Sequence, residues 1–203
     1  MFLREILMMK YSDQQLMDII QKRLSPNRYR HSLQVAQVAR DLAEQYGVDR
    51  GKAYATGLLH DYAKGMSGQE LLDRAEIYQL MEHPADSLLP DLLHGPVGAY
   101  LVKQELGIED EEMLAAIAHH TLGAVAMGSL EEIIYLADMI EPGRDYPGME
   151  RLKCLTERSL EQGMLYGLET TIRYCIDQQR IIHPRSIEVR NYYLQKCLDL
   201  DGC

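Results

Sequence analysis

Seven histidines occur in the chain, at positions 31, 60, 83, 94, 119, 120 and 183, and their placement is the informative feature. His31 shares a helical stripe with Val35, Val38 and Leu42, at steps of 4, 3 and 4 that follow one inward face of an α-helix. His120 aligns with Ile117 and Met113, and His94 with Gly98, Leu101 and Glu105. Asp138 aligns with Ile134 inside the apolar run Ile133-Ile134-Tyr135-Leu136-Ala137, and His60-Asp61 follows the apolar approach Gly57-Leu58-Leu59. A single core histidine is ordinarily structural, hydrogen-bonded to a carbonyl. Five helices that each send an imidazole or carboxylate inward are a different matter, because a buried Asp needs a partner or a metal. Such groups satisfy one another through divalent cations, and imidazole plus carboxylate suits iron, manganese, zinc or cobalt.

The rest of the composition sets a constraint on what such a site can bind. The formal net charge is −10, so a broad basic face for nucleic acid is excluded and a polyanionic small molecule needs a local cationic site. Lys64 is one source of that charge. It stands three residues after Asp61 and four after His60, which on a helix places it along the same face, able to reach a phosphate beside the cations. Arg144, just past Gly143, offers a planar donor fork suited to phosphate. Arg28 and Thr121 are weaker candidates. With no Trp and one Phe, the core must rest on aliphatic residues, Met and Tyr, and the 13 Tyr and 11 Met read as core rather than as a cofactor pocket.

Four cysteines, at 154, 175, 197 and 203, form no C-x-x-C pair and read as reduced thiols of a cytosolic protein. Residues Met1 to Met9 lack the basic start, long apolar stretch and cleavage site of a signal peptide, and no segment approaches the roughly 20 apolar residues that span a bilayer. A cytoplasmic location with no membrane contact is expected.

The elements that must position these residues are helical throughout, so the expected fold class is all-α. Capping boxes at Ser12/Gln15, Ser67/Glu70 and Ser129/Glu132 open three helices, and Asp49 and Asp110 cap two more. The expected spans are Ser12 to Leu24, Tyr29 to Tyr46, Asp49 through His60-Asp61 to Lys64, Ser67 to Leu80, Leu92 to Leu106, Asp110 to Thr121, and Ser129 to just before Pro142. Two or three longer helices follow, at roughly 148–161, 164–182 and 186–199. The stretch from Glu82 to Pro90 reads as a loop. His83 and His183, each before Pro, fall at loops or helix ends, and the run Glu109-Asp110-Glu111-Glu112 reads as a helix N-terminal charge cluster. No repeat, linker or strand alternation is evident.

The ordered set His31, His60-Asp61, His94, His120 and Asp138 resembles the HD-domain phosphohydrolase superfamily. Within it, the chain is most similar to the symmetrical diadenosine tetraphosphate hydrolases. The matching segments are Arg28-Tyr29-Arg30-His31-Ser32, Gly57 to Lys64, Leu93-His94-Gly95-Pro96, Ala116 to Gly123, and Tyr135 to Arg144 with its Ile140-Glu141-Pro142-Gly143-Arg144 tail. The match spans roughly residues 12 to 195. The His-Asp pair alone is weakly specific, whereas the whole ordered set is strongly so.

The resemblance implies an HD-domain helical bundle, 1–203 as one domain with a core at about 26–142 on which the first and the C-terminal helices pack. It implies two divalent transition-metal ions, iron being the expected one and manganese, cobalt or zinc alternatives. His31, His60, Asp61 and Asp138 hold one ion, His94 and His120 the other, and Asp61 bridges. Asp61, Lys64 and Arg144 are the expected catalytic residues, and Lys64, Arg144, Arg28, Thr121 and His119 the substrate contacts. The implied reaction is hydrolysis of diadenosine tetraphosphate to two ADP. The implied partners are a dinucleoside polyphosphate or other nucleotide and a second copy in a homodimer. His119 is a departure, standing where the family has an aromatic or other residue before His-Thr. It points about 100° from His120 on a helix, so His120 is the expected ligand and His119 a supporting or substrate-side residue. The competing readings are an HD phosphohydrolase of nucleoside monophosphates or cyclic dinucleotides, and a metal-binding regulatory module without turnover. The consecutive histidines favour the cyclic dinucleotide, the missing Gly-Tyr-Pro tripeptide disfavours it, and the intact ligand set disfavours the regulatory module.

Overall fold

The computed structural model describes residues 10–201, so the expectations for Met1 to Met9 and for Cys203 lie outside it. Ten α-helices and no strand occur among the described residues. Helices α1 (Asp13–Arg23), α2 (Pro26–Tyr46) and α3 (Arg50–Leu59) start at Ser12, Ser25 and Asp49, whose side chains each accept from a backbone N–H three residues on. Gly47, at φ +68°, closes α2 in the left-handed conformation. Next come α4 (Gly68–Ile77), α5 (His94–Leu101), α6 (Glu111–His119) and α7 (Ser129–Ile140). The C-terminal part is α8 (Met149–Arg158), α9 (Leu160–Asp177) and α10 (Pro184–Asp201).

Several helix ends differ from expectation, and the differences matter for the site. Helix α2 begins three residues earlier than Tyr29, because Pro26 is well placed in a first turn whose N–H groups have no helical partner. Helix α3 stops at Leu59 instead of running to Lys64. Tyr62 N donates to Leu59 O and Lys64 N to Asp61 O, so His60 to Lys64 form tight turns, not a continued helix. The Glu82–Pro90 loop contains the first of two 3₁₀ segments, Pro84–Leu88 and Pro90–Leu93, and α5 starts only at His94. Beyond Leu101 its last turn widens to a π-type turn, Val102–Leu106, before Gly107. Helix α7 is opened by Gly128, whose N–H donates to Glu131, not by the Ser129/Glu132 box. Glu132 instead points inward and accepts a 2.7 Å hydrogen bond from Tyr193 Oη on α10.

Helices α2 and α3 form the tightest pair, and α7 lies against α2, α6 and α9. Helix α6 also packs on α5, while α8 and α10 cover α9. Ala36, Ala39, Leu58, Ile117, Ile133, Ile134 and Leu136 are fully buried where these helices meet. Two glycines allow the close approaches that bring the histidines together. A Cβ on Gly57 would lie 2.6 Å from Ala36 Cα, and one on Gly95 would lie 2.6 Å from Ala118 O. Neither obstacle is a movable side-chain tip, so an added methyl must push whole helices apart. Among the described residues no helix is long and apolar enough to cross a membrane.

Gly57→Ala or Gly95→Ala is expected to cost about 1–3 kcal/mol of stability by this overpacking. Gly65→Ala, whose Cβ would meet nothing nearer than 3.5 Å, should leave stability nearly unchanged. Urea midpoints of the three variants check this, and equal midpoints for Gly57→Ala and Gly65→Ala would contradict it.

Candidate metal and active site

His31 and Asp138 project from within α2 and α7, but the other four residues of the expected ligand set sit at helix ends. His60 and His120 immediately follow the last residues of α3 and α6, Asp61 follows His60, and His94 opens α5. This location has a physical consequence. The final carbonyls of a helix have no intrahelical donor, and a histidine just beyond them can supply one. His60 Nδ1 lies 2.7 Å from Gly57 O, His120 Nδ1 lies 2.8 Å from Ile117 O, and His94 Nδ1 bonds Asp91 O. Each contact reaches back three residues. A carbonyl only accepts, so the proton is on Nδ1 and each Nε2 is left with a free lone pair.

Those lone pairs converge. His94 Nε2 and His120 Nε2 are 2.9 Å apart, and His60 Nε2 and His31 Nε2 are 3.3 Å apart. The His94–His120 pair sets two buried lone pairs face to face, an arrangement that a cation between them satisfies. Asp61, 2% exposed, stands between the two pairs. Its Oδ1 is 3.2 Å from His94 Nε2 and 3.7 Å from His120 Nε2. Its Oδ2 is 3.6 Å from His60 Nε2 and 3.7 Å from His31 Nε2. Two donor groups able to hold a metal ion therefore share one carboxylate: His31, His60 and Asp61, and Asp61, His94 and His120. Asp138 adds an oxygen 3.0 Å from His31 Nε2. All-nitrogen-and-carboxylate donors of this kind suit divalent transition metals.

The electrostatics agree with that chemistry. Burial pushes the His60 imidazole down to about 4 and lowers His94, so both rings are neutral near pH 7. Burial alone would raise the Asp61 carboxyl, but the imidazoles of His60, His120 and His94 around it hold it well below the usual carboxylate range. Asp138 is also held low, its burial outweighed by His31, His60 and Arg144. His31 is raised despite burial, because Asp138, Asp61 and Glu141 surround it.

The expected cations reach the cluster by different routes. Lys64 Nζ lies 3.3 Å from His94 Nδ1, carried there by the turn after His60 and not by a continuing helix. Burial lowers its pKa. Arg28 Nη1 lies 3.1 Å from Asp61 Oδ2, a closer involvement than its secondary rank in the sequence suggested. Arg144 bonds both the carboxylate and, at 2.9 Å, the backbone oxygen of Asp138. His119 stays outside the cluster and bonds Glu131 through Nδ1 at 2.6 Å. Thr121 makes only a 3.4 Å contact with Leu92 O, and with His119 and Arg185 it lines a small cavity of about 50 Å³.

Sequence reasoning assigned no role to Glu141, which is 3% exposed. Its Oε1 is 3.2 Å from His31 Nδ1, and Oε2 accepts from Gly143 N. His31 lies in the second turn of α2, where carbonyls are already used by the helix, so a carboxylate takes the place of the free carbonyl that serves the other three histidines. Its presence in the segment Ile140 to Arg144 was the available signal. Sequence reading also missed the tie between His183 and Asp86, whose Nε2 and Oδ1 are 3.0 Å apart and which joins the start of α10 to the 3₁₀ segment before His94.

The HD domain family model matches residues 28–143, a segment that contains every member of the cluster and stops one residue before Arg144. The chain is 37% identical to a protein of Halalkalibacterium halodurans named symmetrical bis(5'-nucleosyl)-tetraphosphatase, over 88% of this chain and 95% of that one. It is 35% identical to a Bacillus subtilis protein of the same name, over 85% and 92%. A crystal structure from Clostridium acetobutylicum, described as a predicted HD superfamily hydrolase involved in NAD metabolism, superposes with a TM-score of 0.88 at 36% identity, covering 92% of this chain and 98% of that one. By its fold, its shared-aspartate cluster and these matches, the chain belongs to the HD domain family.

Proposed function

We propose that this chain is a cytoplasmic, metal-dependent hydrolase that cleaves diadenosine tetraphosphate at its central bridge into two ADP, with residues 1–203 acting as one HD-type domain. The observation that carries the reading is the Asp61 carboxylate, one oxygen toward His94 and His120 and the other toward His31 and His60. The choice of substrate rests on the activity named for the Halalkalibacterium and Bacillus relatives.

In this reading His31, His60, Asp61 and Asp138 hold one divalent ion, and Asp61, His94 and His120 hold the other. Iron is the proposed physiological metal, with manganese, cobalt and zinc compatible with the same donors. When bound, such a pair supplies positive charge to phosphate oxygens and water acidic enough to act as nucleophile near neutral pH. The side chains do the rest. Arg28 fixes the Asp61 carboxylate between the two histidine pairs, and Lys64 and Arg144 meet the phosphates on either side of the cluster. Asp61, Asp138 and the buried Glu141 against two divalent ions leave a local charge of about +1 before these cations are counted. The positive field is thus buried and local, which reconciles a polyphosphate substrate with a chain of net charge −10. His119, its ring held by Glu131, and Thr121 contact the substrate on the His94–His120 side.

Iron- or manganese-loaded protein incubated with diadenosine tetraphosphate is expected to release ADP as the nucleotide product, read by ion-exchange chromatography. ATP plus AMP would refute symmetrical cleavage, and absence of turnover with every metal would refute the hydrolase. Glu141→Gln keeps an oxygen for His31 Nδ1 but loses the charge and the acceptor for Gly143 N–H. Manganese affinity by calorimetry should fall about 10–100-fold in this variant, and an unchanged affinity would remove Glu141 from the site.

A further inference from the structure

A cavity of about 600 Å³ opens on the far side of Arg144, between the segment after α7 and helix α9. Its lining includes Met139, Arg144, Tyr146, Tyr166, Tyr174 and Asp177. Three tyrosine rings and a thioether therefore face one space, although Tyr54, Tyr62, Tyr135 and Tyr193 are buried in the core. Tyr146 is fixed by a 3.0 Å hydrogen bond from its hydroxyl to Met139 O. Tyr166 fits because residue 148 is glycine: φ there is +94°, and a Cβ would lie 2.7 Å from the Tyr166 hydroxyl. Tyr174 remains 49% exposed.

The volume falls in the range of small-molecule sites, and flat aromatic walls with a few polar groups are their usual lining. The polar side chains of the lining are Arg144, Thr170, Thr171, Arg173 and Asp177, of which Arg173 is already paired with Glu169 at 3.2 Å. Asp177 stands among the lining residues as an exposed acceptor, suited to ribose hydroxyls or an exocyclic amine. Thr170 is not a free donor, since its hydroxyl already bonds Tyr166 O at 2.8 Å. Arg144 belongs both to the cavity and, through Asp138, to the metal-donor cluster. A ligand with a planar ring among the tyrosines and an anionic chain on Arg144 is thereby led toward Asp61. An apolar ligand would make no use of Arg144 or Asp177.

We infer that this cavity is the subsite for one nucleoside end of the dinucleotide, with the base stacked on Tyr174 and its neighbouring rings and the first phosphates on Arg144. The inference rests on the hydrolase reading above and adds where the base is recognised. Tyr174 is the residue to vary, because it is half exposed and packs into no core. Loss of a stacking ring should weaken binding about tenfold.

The test has two arms. Metal-free protein is titrated with adenosine, which carries no phosphate, and followed by two-dimensional NMR. Shifts should concentrate at Met139, Tyr146, Tyr166 and Tyr174, weaken about tenfold in Tyr174→Ala and return in Tyr174→Phe. In manganese-loaded enzyme, Tyr174→Ala should raise KM for diadenosine tetraphosphate by a similar factor with kcat little changed, and Tyr174→Phe should restore it. If loaded wild-type protein hydrolyses no dinucleotide, the hydrolase reading fails and the adenosine titration alone decides the cavity. Adenosine shifts that are absent or lie elsewhere, or an active Tyr174→Ala enzyme with wild-type KM, overturn the inference.

Discussion

One buried carboxylate organises this molecule. Asp61 is almost sealed from water, and an ionised carboxylate in that position must be compensated by nearby positive charge. Arg28 supplies one such charge, and four imidazoles close around the same carboxylate, these side chains arriving from α2, α3, α5 and α6. Those helices have to cross closely enough for five side chains to reach two oxygen atoms. Gly57 and Gly95 satisfy that requirement by letting helix backbones meet where a Cβ would collide. The packing of the bundle and the chemistry of the centre are thus one constraint seen from two sides.

The orientation of the histidines follows from helix endings. A helix terminus is usually a liability, because its last carbonyls lack donors. Here His60 and His120 fill that role with Nδ1–H, and His94 does the same at the 3₁₀ segment ahead of α5. The same bond fixes the tautomer and aims Nε2 inward. His31 has no such carbonyl, and Glu141 substitutes for it. The difference has a functional side: a carboxylate behind an imidazole makes it a stronger ligand than a neutral carbonyl does. Arg144, which bonds Asp138 on the His31 side of the centre, also lines the tyrosine-walled cavity.

The convergent histidine–aspartate cluster was legible in the sequence because its residue types are rare inside proteins and their order along the chain is distinctive. The all-α class was legible for the usual reason, that capping residues and apolar stripes are local. What escaped depended on contacts distant in sequence. Nothing near Glu141 announces a partner 110 positions away, and Arg28 could not be ranked without knowing that Asp61 lies within reach. The expected helix through His60 and Asp61 is too long because Tyr62 and Ala63 keep an apolar face and no local stop precedes Gly65, while the turns that end it depend on tertiary packing. The Tyr and Met content was read as core. That holds for Tyr193 and Met164 but not for Tyr174, and composition alone does not separate the two.

The proposed chemistry requires Asp61 to join two metal positions. It is tested most directly by a crystal structure of the metal-loaded protein, with diffraction measured at the absorption edge of the bound metal. One anomalous peak is expected among His31, His60 and Asp138, a second between His94 and His120, and a different Asp61 oxygen facing each. A single peak, or two peaks of which neither touches Asp61, would contradict it.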